Sequence, residues 1–180
     1  MDIGKYLGAS WNLIVRHPVP IMLGALVAAA LGAASLGLLT GPMYAGVSML
    51  FVGAAAGRTP EVGEVFKYLN RTLPMIVATI VIGILTAIGL CLLVIPGLVM
   101  LGWWSYVPLL IADRGLGVRA AMDRSRAMVR AEGVVNHLLF LLVLFIVGAA
   151  GSIVAGIGAL FTLPLAGGAL ALAYADRRDR

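Results

Sequence analysis

The chain has 180 residues, 62% of them hydrophobic and 12% charged, with a formal net charge of +5 and a mean hydropathy of +1.06. Soluble globular domains carry charge on about a quarter of their residues, so this balance excludes a water-soluble domain and predicts an integral membrane protein. A transmembrane β-barrel needs alternating segments of about ten residues, whereas the runs from Met75 to Val94 and from Leu138 to Val147 are apolar on every face. Helices are the remaining solution.

The 13 basic and 8 acidic side chains fall in four clusters, at 1–16, 58–71, 113–132 and 176–180. The charge-free stretches between them, 17–57, 72–112 and 133–175, are 41, 41 and 43 residues long. Each is about twice the roughly 20 residues that one helix needs to cross a bilayer, so each reads as a transmembrane hairpin. Every cluster is net positive, and Lys and Arg beside membrane helices are retained on the cytoplasmic side. The prediction is therefore an all-α integral membrane protein of six transmembrane helices arranged as three hairpins, multi-pass in a bacterial inner membrane, with both termini cytoplasmic. The basic balance reads as a topology signal and as contact with anionic headgroups, with no nucleic acid as partner.

In chain order, Ile3, Tyr6, Leu7, Trp11 and Ile14 share one face and Lys5, Asn12 and Arg16 the other, which predicts an amphipathic surface helix ending at His17-Pro18. Nothing in this segment resembles a cleaved signal peptide. Helices follow at about 18–36 and 42–57, turning at Gly37 to Pro42. A shorter amphipathic segment is predicted over 62–70, with Val65, Phe66 and Leu69 against Glu64, Lys67 and Arg71. The next pair, about 73–94 and 97–112, turns at Ile95-Pro96-Gly97. From Gly117 to Glu132, Val118, Ala121, Met122, Ser125, Met128 and Val129 form one face and Arg119, Asp123, Arg126 and Arg130 the other, at spacings that permit weak helical ion pairs of Asp123 with Arg119 and with Arg126. The last pair, about 135–155 and 159–175, turns at Gly156-Ile157-Gly158. A cytoplasmic-surface amphipathic helix thus precedes each hairpin, giving one membrane domain over 1–180 with pseudo-repeats at 1–57, 58–112 and 113–180.

Val94-Ile95-Pro96-Gly97, Ser105-Tyr106-Val107-Pro108, Asp113-Arg114-Gly115-Leu116-Gly117 and Ala121 to Ser125, with Thr162-Leu163-Pro164-Leu165 and Ala171-Leu172-Ala173-Tyr174 near the end, form a set. It resembles the IPG, S-aromatic-x-P, D-x-GLG and A-x-x-x-S pattern of a widespread family of uncharacterised bacterial six-helix membrane proteins, found at times beside or fused to glycerophosphodiester phosphodiesterase domains. Where many members have Glu and a later Trp, this chain has Arg114 and Met128. The resemblance covers most of the chain. It implies the six-helix fold and carries no activity with it.

No catalytic or metal-binding motif is visible in the sequence, and no cofactor is expected. His17 and His137 read as interfacial polar residues, Glu61 and Glu64 as a solvated face, and Cys91 as a buried bystander thiol. Charged side chains, the usual mark of ion-coupled transport, are absent between the clusters. Among the 23 glycines, Gly53 with Gly57 and Gly148 with Gly151 form small-residue seams, as does Ala28 with Gly32. These serve packing within the monomer or contact with a second copy or another membrane protein. Pro96, Gly97, Trp103, Trp104 and Pro108 mark a kinked aromatic segment that packs in the core or meets a partner helix or lipophilic ligand. Arg119, Arg124, Arg126 and Arg130, with Lys5 and Arg16, form the surface offered to anionic lipid or an acidic partner. Two functions follow: a non-enzymatic scaffold or accessory subunit, or a small transporter, channel or flippase for an apolar or amphipathic peptide or lipid.

Overall fold

The computed structural model describes residues 2–92, 94–153 and 158–178, and among these every regular element is helical. The α-helices are α1 (Ile3–Arg16), α2 (Pro18–Ala34), α3 (Thr40–Ala55), α4 (Thr72–Leu92), α5 (Val94–Trp103), α6 (Val107–Arg114), α7 (Val118–Glu132), α8 (Val134–Ile153) and α9 (Ala159–Ala175). Two short 3₁₀ turns, Val62–Phe66 and Leu69–Arg71, lie between α3 and α4. Three helical stretches, Val62–Leu92, Ile95–Arg114 and Val134–Gly151, are long and apolar enough to cross a membrane. The pair α1 and α2, bent by 104° at their junction, makes a fourth if counted as one span.

The bend follows from local chemistry. Asp2 caps α1 by accepting from the Lys5 amide at 3.0 Å, Arg16 lies in its last turn, and Pro18 opens α2 where no amide is needed. α3 is the central helix: Gly41 to Met43, Ala45, Gly46 and Ser48 to Ala54 are buried, and α2, α4, α6 and α9 pack on it. Around this centre α4 packs on α5 and α8 on α9. Large apolar side chains face outward in stripes, with Leu73, Val77, Ile80, Ile84 and Ile88 on α4 and Val135, Leu139, Leu142, Phe145 and Ile146 on α8 exposed. A soluble monomer seldom leaves so continuous an apolar surface uncovered, and lipid is the solvent such stripes suit.

Several expectations are corrected. Ile95-Pro96-Gly97 does not form the turn. Pro96 and Gly97 lie inside α5, whose first residue is Val94, and a Cβ on Gly89 of α4 would lie 3.0 Å from the Gly97 Cα. The glycine thus serves close helix contact. The helix expected over 97–112 breaks after Trp103 and resumes at Val107, so Pro108 sits in the first turn of α6, where a proline costs nothing. The segment 62–70 forms 3₁₀ turns, and its Val65 is fully buried. There is no room for a side chain opposite: a Cβ on Gly46 would overlap the Val65 carbonyl, and one on Gly24 would lie 3.2 Å from the valine methyl. On α1, Tyr6, Ser10 and Ile14 are buried as the helix packs on α9, with the Ser10 hydroxyl donating to the Leu165 carbonyl at 2.9 Å. Trp11 is exposed, so the packed face is narrower than the apolar one. Cys91 is exposed on the outward side of α4. Asp123 makes no ion pair among the described residues. The turn expected at 156–158 lies, except for Gly158, outside the described residues.

Candidate functional site: a polar cluster at the charged end

The charged clusters that are far apart in sequence meet at one end of the bundle. At its heart His137, in the first turn of α8, is fully buried. Its Nε2 lies 2.9 Å from the Ser105 Oγ in the break between α5 and α6, and its Nδ1 lies 3.0 Å from the Glu132 Oε2 at the end of α7. The other Glu132 oxygen is ion-paired with the Arg177 Nε. The Tyr106 and Phe140 rings flank the imidazole at 5.1 and 6.3 Å. Ser125 closes the break: its hydroxyl donates to the Trp103 carbonyl at 2.6 Å and accepts from the Tyr106 amide at 3.3 Å. These two backbone groups lie where the helical ladder is interrupted.

The Ser105, His137 and Glu132 chain has the connectivity of a hydrolase relay, and its proton arrangement decides what it does. The Ser105 hydroxyl also donates to the Gly102 carbonyl at 3.0 Å. In that state it must accept from the His137 Nε2–H, and a proton at Nδ1 as well makes the ring an imidazolium facing the carboxylate. With a neutral ring carrying its proton at Nδ1, Ser105 donates to Nε2 instead. Both arrangements satisfy the Ser105 hydroxyl and both ring nitrogens of His137, and tie α5, α7 and α8 together. Arg177 shares the carboxylate that would otherwise act on the imidazole alone.

A second layer surrounds this core. Tyr174 donates to the Asp113 carboxylate at 2.9 Å, and Arg178 donates to both oxygens of the same carboxylate at 3.2 and 3.0 Å. Arg71 donates to the Ile111 carbonyl at 3.0 Å and also to the Ala112 carbonyl, the last carbonyls of α6, where a cation complements the helix dipole. Gly115, which ends α6 with φ +65°, lets this guanidinium approach: a Cβ there would lie 3.2 Å from the Arg71 Cζ. Tyr6 donates to Asp176 at 2.8 Å, and the Arg177 guanidinium lies 5.2 Å from the Tyr6 ring centre. Burial, reinforced by the hydrogen bond to Asp176, raises the Tyr6 phenol above its ordinary range, with Arg177 opposing.

The charged side chains fall into two regions, one compensated and one not. Glu132 pairs with Arg177, Asp113 with Arg178 and Arg114, Asp176 with Lys5 at 4.0 Å, and Glu64 with Arg58 at 3.6 Å. Enclosed carboxylates are thus compensated, as burial of charge requires. On α7, Arg119, Arg124, Arg126 and Arg130 meet no carboxylate among the described residues. Arg126 and Arg130 lie over the Trp103 ring, 4.3 and 5.3 Å from its centre. Arg119, Arg124 and Arg130 are exposed, as is Arg16, whereas Arg126 is half-buried.

The glycine seams have separate roles. Gly53 lies against Arg58, whose Cζ would be 3.1 Å from a Cβ there, and Gly57 ends α3 with φ +80°. On α8, Gly148 and Gly151 face α9: a Cβ on Gly148 would lie 3.5 Å from the Leu163 side chain, and one on Gly151 would lie 2.7 Å from Gly158. Trp104 is half-buried beside the break. Away from the polar end, α2, α3, α8 and α9 line an open, mostly apolar cavity of about 680 Å³ whose lining includes Gly32, Tyr44, Ser48, Leu144 and Pro164. No group of three or more His, Cys, Asp or Glu able to hold a metal is found among the described residues.

Sequence reasoning missed the convergence of Tyr6, Ser105, Asp113, Ser125, Glu132, His137, Tyr174 and Arg177. One signal was available, because Ser105, Tyr106, Asp113, Ser125 and Tyr174 all belong to the motif set quoted above. In the structure these residues hold the cluster together. Comparison with family models, with curated proteins and with solved structures finds no match.

Proposed function

We propose that this chain is a non-enzymatic, multi-pass protein of a bacterial inner membrane that acts as a scaffold or accessory subunit. Six crossings run as three hairpins, and both termini and all charged clusters lie on the cytoplasmic side. The outward apolar stripes on α4 and α8 support the membrane setting. The observation that carries the function is the contrast in charge: the acidic groups of the polar cluster are paired internally, while α7 presents arginines with no carboxylate partner. An uncompensated cationic face beside a lipid-exposed bundle suits anionic headgroups or an acidic partner. The Ser105, His137 and Glu132 chain is read as structural, since Arg177 occupies its carboxylate and the imidazole is fully buried.

The test is extraction into native-lipid nanodiscs followed by mass spectrometry, with Arg119, Arg124, Arg126 and Arg130 changed to Glu in a parallel sample. A near-stoichiometric partner or anionic lipid class that disappears on charge reversal is the expected result. Unchanged co-purification would sink the proposal. A second reading, as a carrier or flippase for an apolar or amphipathic peptide or lipid, is favoured by the cavity between α2, α3, α8 and α9. It predicts that one distinct lipid or peptide is retained, and that filling the cavity at Gly32 or Ala28 abolishes flux in liposomes.

A further inference from the structure

We propose that Arg126, Arg130 and Trp103 form a discrete site for a phosphate group at the level where α8 begins. The inference rests on the placement of α7 at the inner membrane surface given above, and narrows its diffuse cationic face to one site.

Three observations point there. First, the two guanidiniums stand one turn apart on α7 and converge on a single indole, with their central carbons 4.3 and 5.3 Å from its centre. Stacking on an aromatic face fixes the plane of a guanidinium and leaves its N–H edges free to donate. Second, the fold supplies no acceptor. Neither arginine meets a carboxylate among the described residues, and the enclosed Arg126 Nε and Trp103 Nε1 have no hydrogen-bond partner. Those two atoms are sealed from solvent, so the donors open to an external acceptor are the terminal guanidinium nitrogens, which the stack orders and which no acceptor among the described residues engages. Third, the indole is held from behind. Ser125, one position before Arg126, donates to the Trp103 carbonyl at 2.6 Å, so α7 and the end of α5 are fixed to each other at this point.

A phosphate ester matches this donor set, because its oxygens accept from the paired edges of two guanidiniums. The depth suits a headgroup: Gly102, next to Trp103, approaches Leu138 and His137 in the first turn of α8. A lipid phosphate and a soluble phosphate ester share the chemistry, and the test separates them.

Trp103 is its own reporter. With Trp11 and Trp104 changed to Phe, the full chain in uncharged detergent would be titrated with phosphatidic acid in mixed micelles, with glycerol 3-phosphate, and with phosphatidylcholine micelles as the reference. Saturable change in Trp103 emission with phosphatidic acid is expected, weakened about tenfold or more in Arg126→Gln and in Arg130→Gln. Lys at either position should restore charge while recovering only part of the affinity. Saturation by glycerol 3-phosphate as well assigns the site to phosphate esters in general, and saturation by phosphatidic acid alone assigns it to a lipid headgroup. Arg119→Gln with Arg124→Gln is the companion variant, and the melting temperature of each variant checks its fold. If folded Arg126→Gln and Arg130→Gln bind as tightly as the parent while the companion does not, the discrete site is overturned and the cationic face survives. No saturable binding by the parent overturns the site. If phosphatidic acid then fails to co-sediment with the parent at low salt, the cationic face fails with it.

Discussion

Removing Arg177 is the sharpest perturbation of the polar cluster. Its Nε is the cation on the Glu132 carboxylate, and the two side chains are only 13% and 10% exposed, so solvent screens the pair little. Taking one partner from a buried pair leaves an uncompensated charge and costs about 3–5 kcal/mol. For a chain of this size about 2–4 °C of melting temperature corresponds to each kcal/mol, so Arg177→Met should lower the midpoint by roughly 6–20 °C. Part of that loss should be recoverable. Glu132→Gln with Arg177→Met leaves neither charge, and the Gln carbonyl still accepts from the His137 Nδ1–H. The double variant should therefore be more stable than Arg177→Met alone, with a coupling of about 2 kcal/mol or more. The assay is thermal unfolding of the four proteins in one detergent, followed by helical circular dichroism. Arg177→Met melting within about 3 °C of the parent, or strictly additive losses, would refute the reasoning that this contact is a buried, compensated pair.

Four further outcomes are expected. Because the folded Tyr6 phenol is raised, its stabilising contribution is fully present below the ordinary tyrosine value of about 10 and lost as pH rises through the higher folded value. The stability gap between the parent and Tyr6→Phe should therefore be constant from pH 8 to 9.5 and narrow above pH 10, read from melting temperatures across that range. Gly46→Ala should cost about 1–3 kcal/mol, since the Val65 carbonyl in the way is backbone and must shift. Gly83→Ala, with nothing within 4 Å of the added methyl, should be neutral or stabilising by up to about 1 kcal/mol. Ser125→Ala strands the Trp103 carbonyl and the Tyr106 amide. It should cost about 1–3 kcal/mol and speed amide hydrogen exchange at Ser105 and Tyr106.

What the sequence makes legible here is whatever depends on solvent. The charge-free stretches place α2 at Pro18, α4 at Thr72 and α8 at Val134 within a residue or two, because the boundary between apolar and polar surroundings sets both charge and helix ends. The amphipathic face of α7 is legible for the same reason, with Ala121, Ser125, Met128 and Val129 buried as the spacing predicts. Features set by packing between distant segments are not. The IPG motif contains two helix breakers and looks like a turn, yet Gly97 is needed beside Gly89. Val65 sits among charged neighbours, and its burial depends on notches cut by Gly24 and Gly46 on other helices. Tyr6 meets Asp176 across 170 residues of sequence, and Ser105 meets His137 across 32. No local periodicity encodes either contact. Arg126 falls on the polar face of α7 by spacing, and only the stacking on Trp103 distinguishes it from Arg119.

The central claim is that every charged cluster lies on one side of the membrane and the turns between paired helices on the other. Single cysteines at Thr59, Ala120 and Leu38 in a Cys91→Ser background, treated in intact cells with a membrane-impermeant maleimide, test it directly. All three positions are exposed, so accessibility reports sidedness. Labelling at Leu38 in intact cells, with labelling at Thr59 and Ala120 only after permeabilisation, is the predicted result. Labelling of Leu38 and Thr59 under the same condition would contradict it.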